Sequence, residues 1–370
     1  MTAVASHAPS AAAWPSGTMR ALQFGAPGKL ELAEVPIPES ASGEILVEVS
    51  HVGICGTDVH LLDGRSAYVQ LGLTQYPIRF GHEWAGRVLA VGAGGDVDLI
   101  DRVVVGEPFI SCGQCRTCRS GRYNLCPFRY EMGVNGSIPG AAAQYLRVPQ
   151  TNVAVVPPTV RPEHALMAEP SVTVLNAYEI ARVQPGEKVA VLGTGTIGLI
   201  AVQLGAFIGC RVDVIGIDEV GLKAAAGFGA SPITTADGAP DDTYDVVVEA
   251  TGSAAVGPHL TRIAAIGGRI MEVGIPGRPV DGIDLAAFVS KGLTLQGVLG
   301  GVHLLARALQ LIAAGAIRPD ELLDEVMPVS SAPTAFAQSV APGRERPKVV
   351  LDIQSIADTA ALQPRQGAEG

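Results

Sequence analysis

A chain of 370 residues is long enough for two domains, and 48% hydrophobic residues are ample for two buried cores. The formal net charge is −10, from 36 acidic against 26 basic residues with no run of Lys and Arg, which argues against nucleic acid or an anionic membrane as partner. No apolar stretch is long and clean enough to span a bilayer.

The sequence opens with MTAVASHAPSAAAWPSGT, which lacks a basic region followed by a continuous apolar stretch. Residues 1–18 are therefore expected to form a flexible extension and not a signal peptide, and the chain is expected to be cytoplasmic. From Met19 to Val49, short runs that alternate apolar and polar side chains are broken by turns such as Gly25-Ala26-Pro27-Gly28. Residues 81–105 repeat that texture. Together they predict an antiparallel, β-rich unit.

Within this unit lies Gly53-Ile54-Cys55-Gly56-Thr57-Asp58-Val59-His60. A thiolate is a soft ligand that suits zinc. A hydroxyl two residues on and an imidazole five residues on can pass a proton from the metal towards solvent. Alone, the stretch reads equally as a buried free Cys and a polar turn, with Asp58 capping a helix. The second ligand-type cluster, Gly81-His82-Glu83, shifts that balance. His82 lies 27 positions after Cys55, too far for one local finger, so the fold must bring the two together.

Four of the six cysteines crowd into residues 112–126 as Cys-x2-Cys-x2-Cys-x7-Cys: Cys112, Cys115, Cys118 and Cys126. Four thiolates at these spacings can wrap one zinc in a closed tetrahedron, which leaves no open position and is therefore structural. In a large chain without a signal sequence, metal binding fits such density better than disulfides. After Pro149 a helical run carries Glu169 just before Pro170. Alone, that Glu is a surface or capping residue; beside Cys55 and His82 it becomes a candidate ligand.

Residues 187–218 hold the second strong signal. A buried-type strand, GluLysValAlaValLeu, runs into Gly193-Thr194-Gly195-Thr196-Ile197-Gly198 and an apolar helix, and a second strand leads to Asp218, twenty positions after Gly198. This is the dinucleotide fingerprint in context. Gly193 permits the tight turn, Gly195 the approach of a pyrophosphate, and Gly198 close packing of helix on strand, with the helix N-terminus facing the phosphates. Asp218 would accept hydrogen bonds from the adenosine ribose and repel a 2′-phosphate, which favours NAD over NADP. Further strands and helices alternate: TyrAspValValValGluAlaThrGly is a strand, GlyProHisLeuThrArgIleAlaAlaIle a helix, and GlyGlyArgIleMetGluValGly and LeuThrLeuGlnGlyVal are strands. They predict an open parallel sheet covered on both faces. Val273, Gly274, Ile275, Val298 and Leu299 fall near strand ends and are expected to wall the nicotinamide. ProLysValValLeuAspIle is read as a closing strand that returns to the first unit. His51, His164, His259 and His303 lack a motif partner and read as structural or surface residues.

The chain resembles the zinc-dependent medium-chain alcohol/polyol dehydrogenases, in particular the sorbitol and L-threonine dehydrogenase branch. The resemblance runs from about Met19 to Ile353 and rests on GICGTDVH, GHEWAG, the four-Cys lobe, the AEP segment and GTGTIG followed by Asp218. It implies an α/β fold: a GroES-like, β-rich catalytic domain (19–160 and 300–355, with a structural zinc lobe at 110–128) plus a Rossmann NAD-binding domain (161–299), and a flexible tail at 356–370. It also implies catalytic zinc on Cys55 and His82, with Glu83 and Glu169 as further or alternating ligands, and a proton relay through Thr57 and His60. Two zinc ions per subunit follow. Glu169 stands where alcohol dehydrogenases proper usually carry Cys. Lys223 matches a position where basic residues often approach the adenosine ribose. Ile100-Asp101-Arg102-Val103 and Gly140-Ala141-Ala142-Ala143-Gln144-Tyr145 depart from the family's usual GlyAspArgVal and GlyGlyPheAlaGluTyr-like stretches.

The expected reaction interconverts a secondary alcohol (polyol, cyclitol, sugar or amino alcohol) and its ketone by hydride transfer to NAD. The partners are a small-molecule alcohol or ketone and other copies of the chain, as a dimer or tetramer. Two alternatives stay open: a primary-alcohol/aldehyde dehydrogenase of the same family, and a non-catalytic NAD-binding structural or sensor protein.

Overall fold

The computed structural model describes residues 14–136 and 138–363. The N-terminal hairpin pairs Thr18–Ala26 with Lys29–Pro36, and the first strand buries Met19, Ala21, Leu22 and Phe24. The seven-stranded sheet beside it has Glu44–Gly53 near its centre. Along the sheet run Leu323–Pro328, Lys348–Asp352, Glu44–Gly53, Glu83–Val91, Val103–Gly106 and Val153–Val155, with Tyr145–Pro149 also paired to Glu44–Gly53. All of its pairings are antiparallel except that of Leu323–Pro328 with Lys348–Asp352. The last strand of the chain thus returns to lie beside Glu44–Gly53, where Val350 pairs with Gly53.

The second sheet has six strands, all parallel. Its spatial order is Ser231–Ile233, Arg211–Ile215, Lys188–Leu192, Tyr244–Glu249, Ala264–Glu272 and Thr294–Gly297. Numbered along the chain that order is 3-2-1-4-5-6, which reverses direction at Lys188–Leu192 and opens a crevice at the carboxyl ends there. Lys188–Leu192 and Tyr244–Glu249 read as near-continuous apolar runs because helices cover both faces. Ala168–Ala181 and Thr196–Ile208 pack into one core with Val189, Val191, Val246 and Val248, while Leu260 and Ile263 close the other face with Leu192 and Val247.

Two expectations need correction. The helix expected through Ile266 ends at Ile263, and Ala264–Glu272 is strand from its first residue. Ala264 pairs with Tyr244, so sheet hydrogen bonds win over a short helical run. The tail expected to be flexible from 356 is packed as far as Gln363: Ile356 is buried, Leu362 packs on the core and the Gln363 N–H donates to Ser330 O at 2.7 Å. Residues 1–13 of the expected N-terminal extension and 364–370 of the tail lie outside the described residues.

Candidate active site

Strand Glu44–Gly53 runs directly into Cys55, which is the N-cap of the short helix Gly56–Leu62. The cap is reciprocal: the Cys55 N–H donates to Asp58 Oδ2 at 2.9 Å. The bland reading of this turn and the chemical one therefore coexist. Asp58 does cap the helix, and its other oxygen, fully buried, lies 3.4 Å from His82 Nδ1. Thr57 is half-buried and His60 exposed on the same short helix.

Sheet register brings the second cluster alongside. Gly53 pairs with Glu83 across the antiparallel ladder, so Cys55 and His82 meet just beyond the strand ends. The ligand atoms of Cys55, His82 and Glu83 all lie within 4.8 Å of one another. Glu169 sits in the first turn of helix Ala168–Ala181, where Pro170 leaves no helical hydrogen bond unmade, and it lines the same cleft. Burial pushes its carboxyl up to about 7 against the pull of His82.

Sequence reading missed Lys348, which opens the last strand. Its buried ammonium donates to Glu83 Oε2 at 2.6 Å and Oε1 at 2.8 Å, and to Ile54 O at 3.1 Å. The available signal was a lone Lys at the head of an apolar strand, a position that needs a partner.

The cleft is a cavity of about 480 Å³ between the two sheets. Gly195, Thr196 and Ile197 line it at the N-terminus of helix Thr196–Ile208, and Val273, Gly274, Ile275, Val298 and Leu299 line it from neighbouring strand ends. Gly193 has φ +108, a conformation L side chains rarely adopt. A Cβ at Gly198 would meet Gly193 O at 2.0 Å, so helix and strand pack as closely as the fingerprint requires. Asp218 and Lys223 lie outside this lining. Asp218 caps helix Glu219–Gly227 through Val220 N at 3.2 Å, and Lys223 is exposed on that helix.

Two further groups in the cleft escaped sequence reading. Ser66, Tyr68, Phe109 and Glu131 line the side near His60. Arg344, whose guanidinium donates to Ser339 O and Pro347 O at 2.7 Å each, lines the cleft too. Tyr68 stands on the short helix Ala67–Gln70 and Phe109 and Glu131 on two-residue strands, elements too short to carry a periodic signal, and Arg344 stands outside any helix or strand.

The four-Cys lobe is separate. Its sulfur–sulfur distances are 3.5 Å (Cys115–Cys118), 3.6 Å (Cys112–Cys126), 3.8 Å (Cys115–Cys126) and 3.9 Å (Cys112–Cys118). Four sulfurs about 2.3 Å from a tetrahedral centre lie about 3.8 Å apart, so the set fits one zinc. The first set fits a zinc by its chemistry: a thiolate, an imidazole and carboxylates on a buried wall, with an open cleft in front of them.

Comparison with known proteins agrees with this geometry. Residues 41–158 match the alcohol dehydrogenase GroES-like domain and residues 196–314 the zinc-binding dehydrogenase family. An uncharacterized zinc-type alcohol dehydrogenase-like protein of Escherichia coli K12, YdjJ, is 30% identical over 342 residues, 88% of this chain and 96% of that protein. An L-threonine 3-dehydrogenase of Francisella tularensis subsp. holarctica is 32% identical over 294 residues, 74% of this chain and 82% of that one. Among solved structures, a zinc-binding dehydrogenase of Sinorhizobium meliloti 1021, bound to NADP, superposes with a TM-score of 0.82 at 28% identity over 91% of this chain and 99% of that one.

Proposed function

Because the chain belongs to the zinc-type alcohol dehydrogenase family, we propose that it interconverts a secondary alcohol (a polyol, cyclitol, sugar or amino alcohol) and its ketone, with NAD as the preferred hydride acceptor. The observation that carries this reading is that Cys55, His82 and Glu83 converge in the same cleft as the Gly195-Thr196 dinucleotide turn.

In this reading Cys55 and His82 hold the catalytic zinc, and Glu83 and Glu169 serve as further or alternating ligands. Lys348 neutralises Glu83 and so favours Glu169 at the metal. A zinc ion there supplies a Lewis acid that lowers the pKa of a substrate hydroxyl, and the nicotinamide supplies the acceptor for hydride. The chain's own residues do the rest. The Thr57 hydroxyl accepts the substrate proton as it releases its own, and His60, three residues on along the same short helix and exposed, hands a proton to solvent at the outer end of the path. Phe109, Val298 and Leu299 give the reacting centre apolar walls. Cys112, Cys115, Cys118 and Cys126 hold the second, structural zinc.

Asp218 favours NAD because its carboxylate lies three residues past the second strand, Arg211–Ile215, at the cap of the following helix, where the adenosine ribose is recognised in this fold. The exposed edge strand Thr294–Gly297, flanked by exposed Leu285 and Val289, supports a homo-oligomer, dimer or tetramer. The reduced cysteines support a cytoplasmic location, and among the described residues no helix is long and apolar enough to cross a membrane.

The test is NAD reduction across a panel of secondary alcohols, polyols and amino alcohols, with primary alcohols as controls. Turnover confined to primary alcohols would overturn the secondary-alcohol reading. Cofactor binding without turnover of any alcohol would favour a sensor.

A further inference from the structure

The mechanism above gives no role to Glu131 or Tyr68, which line the same cleft. Glu131 is 6% exposed, yet it lines the cleft with Ser66 and Tyr68. Its backbone is fixed twice. It sits opposite Phe109 in a two-stranded ladder, and its N–H donates to Asn135 Oδ1 at 2.9 Å. The Tyr68 hydroxyl donates to its carboxylate, 3.1 Å from Oε2 and 3.2 Å from Oε1, and Arg129 Nε donates to Oε1 at 3.2 Å.

We propose that Glu131, held in place by Tyr68, is a specificity residue that accepts a hydrogen bond from a second hydroxyl of the substrate, so that the site selects polyhydroxylated alcohols over monohydric ones. This rests on the secondary-alcohol reading above and narrows it.

A carboxylate offers about four acceptor positions; Oε1 takes both Tyr68 and Arg129 while Oε2 takes Tyr68 alone, so Oε2 of this cleft-lining residue keeps capacity for one more donor. The Tyr68 hydroxyl is committed as a donor to Glu131, so its oxygen keeps lone pairs for a further donor. Both groups therefore present acceptors. A substrate with only one hydroxyl, spent at the metal, would leave them facing a hydrocarbon chain. A buried acceptor left unpaired discriminates strongly against an analogue that lacks the donor. An ammonium is a weaker match, because Arg129 already offsets the carboxylate charge. The wall is thus suited to neutral hydroxyls.

The experiment compares 2-butanol, 2,3-butanediol and 3-amino-2-butanol, matched in carbon skeleton, on the zinc-loaded enzyme and its variants. Wild type should prefer the diol. Glu131→Met should lower kcat/KM for the diol by about tenfold or more, mostly through KM, and leave 2-butanol within about threefold. Glu131→Gln, which keeps an acceptor, should recover much of the diol preference. Tyr68→Phe leaves the loop backbone in place and should show a smaller loss for the diol alone. Equal losses for diol and 2-butanol in every variant would make Glu131 a structural residue and overturn the inference. So would an amino alcohol preferred over the diol in wild type and abolished by Glu131→Gln. A thermal-shift titration with the diol in the presence of NADH reads binding without turnover. A shift in wild type that Glu131→Met removes supports the assignment, and equal or absent shifts in both refute it. Should no alcohol be oxidised, the proposed function fails while this titration still decides the role of Glu131.

Discussion

The Lys348 ammonium lies 2.6 Å from Glu83 Oε2, and both side chains are almost wholly buried behind the zinc-type ligands. One comes from the head of the last strand, the other from the start of Glu83–Val91. Removing one member of such a pair leaves an uncompensated buried charge, which costs about 3–5 kcal/mol. Lys348→Met should destabilise the protein by that order in urea unfolding. Adding Glu83→Gln to it should restore a good part. A single variant within about 1 kcal/mol of wild type would mean that solvent reaches the pair and the charges matter little.

The four-Cys lobe also reaches the strand-end wall of the cleft. Asn124 Nδ2 donates to Leu299 O at 2.7 Å, and the His303 N–H donates to Glu107 Oε1 at 2.7 Å, with Tyr123 on the same carboxylate. With two separate ligand sets, Cys112, Cys115, Cys118, Cys126 and Cys55, His82, Glu83, elemental analysis should find two zinc ions per subunit. Cys115→Ser should lower stability, whereas Cys55→Ser should abolish turnover with the fold intact. Asn124→Ala should keep both zinc ions and weaken NADH binding several-fold, because the loop that carries Leu299 loses its tether. NADH affinity unchanged by that substitution would detach the lobe from cofactor binding.

A pH effect on stability arises at the carboxyl ends of the parallel sheet. Glu249 and Glu272 face each other across paired strands, and Glu249 accepts from Thr251 N at 2.7 Å and Gly252 N at 3.2 Å. Burial first, and then the charge of Glu249, push the Glu272 carboxyl up to about 8 from its ordinary 4.5. The folded state therefore keeps a proton that the unfolded chain has released. The contribution is fully present below about 4.5 and is lost as pH rises towards about 8. Melting temperature should fall over that range, and Glu272→Gln should flatten the fall. Parallel curves for wild type and variant would show that Glu272 does not carry it.

The motifs that identify chemistry were legible because they are local. Cys112 to Cys126 closes a metal set within one lobe, and Gly193 to Gly198 closes one βα turn. The meeting of Cys55 with His82 was legible only as a need; its cause is the Gly53–Glu83 register, which no spacing rule gives. Lys348 lies 265 positions from Glu83 and reaches it only because the last strand pairs with Glu44–Gly53. Glu131 stands just past the four-Cys lobe in a two-residue strand too short for periodicity, so its place in the cleft depends on tertiary structure alone. At Ala264–Ile266 helical propensity lost to sheet pairing with Tyr244.

Cofactor choice can be tested without disturbing the fold. Asp218 follows the second strand by three residues and caps helix Glu219–Gly227. Serine is as good a cap, so Asp218→Ser removes the charge and keeps the helix start. NAD should be the preferred coenzyme of the wild type. In the variant the ratio of NADPH to NADH affinity, read by fluorescence titration, should shift towards NADPH by about tenfold, since one charge beside the 2′-phosphate is removed. Tighter NADPH binding by the wild type would overturn the assignment and point first to Lys223, exposed on the same helix.

The proton path gives the sharpest prediction. Thr57 is half-buried and His60 exposed, both on Gly56–Leu62 and both lining the cleft, which is the placement the proposed relay needs at its inner and outer ends. His60→Gln should leave zinc content and NADH affinity nearly unchanged. Alcohol oxidation should slow most below neutral pH, where hydroxide is too scarce to replace the base. Positioned proton transfer contributes typically about 10²–10⁴-fold, and a terminal shuttle that water can bypass should fall at or below the low end. Thr57→Ala should cost more, because water has less room to substitute for a half-buried hydroxyl beside the reacting oxygen. If His60 instead only supports the end of its helix, His60→Gln would lower the melting temperature and leave the pH–rate profile in place. Measuring both on one variant separates the two roles, and a rate loss independent of pH would sink the relay.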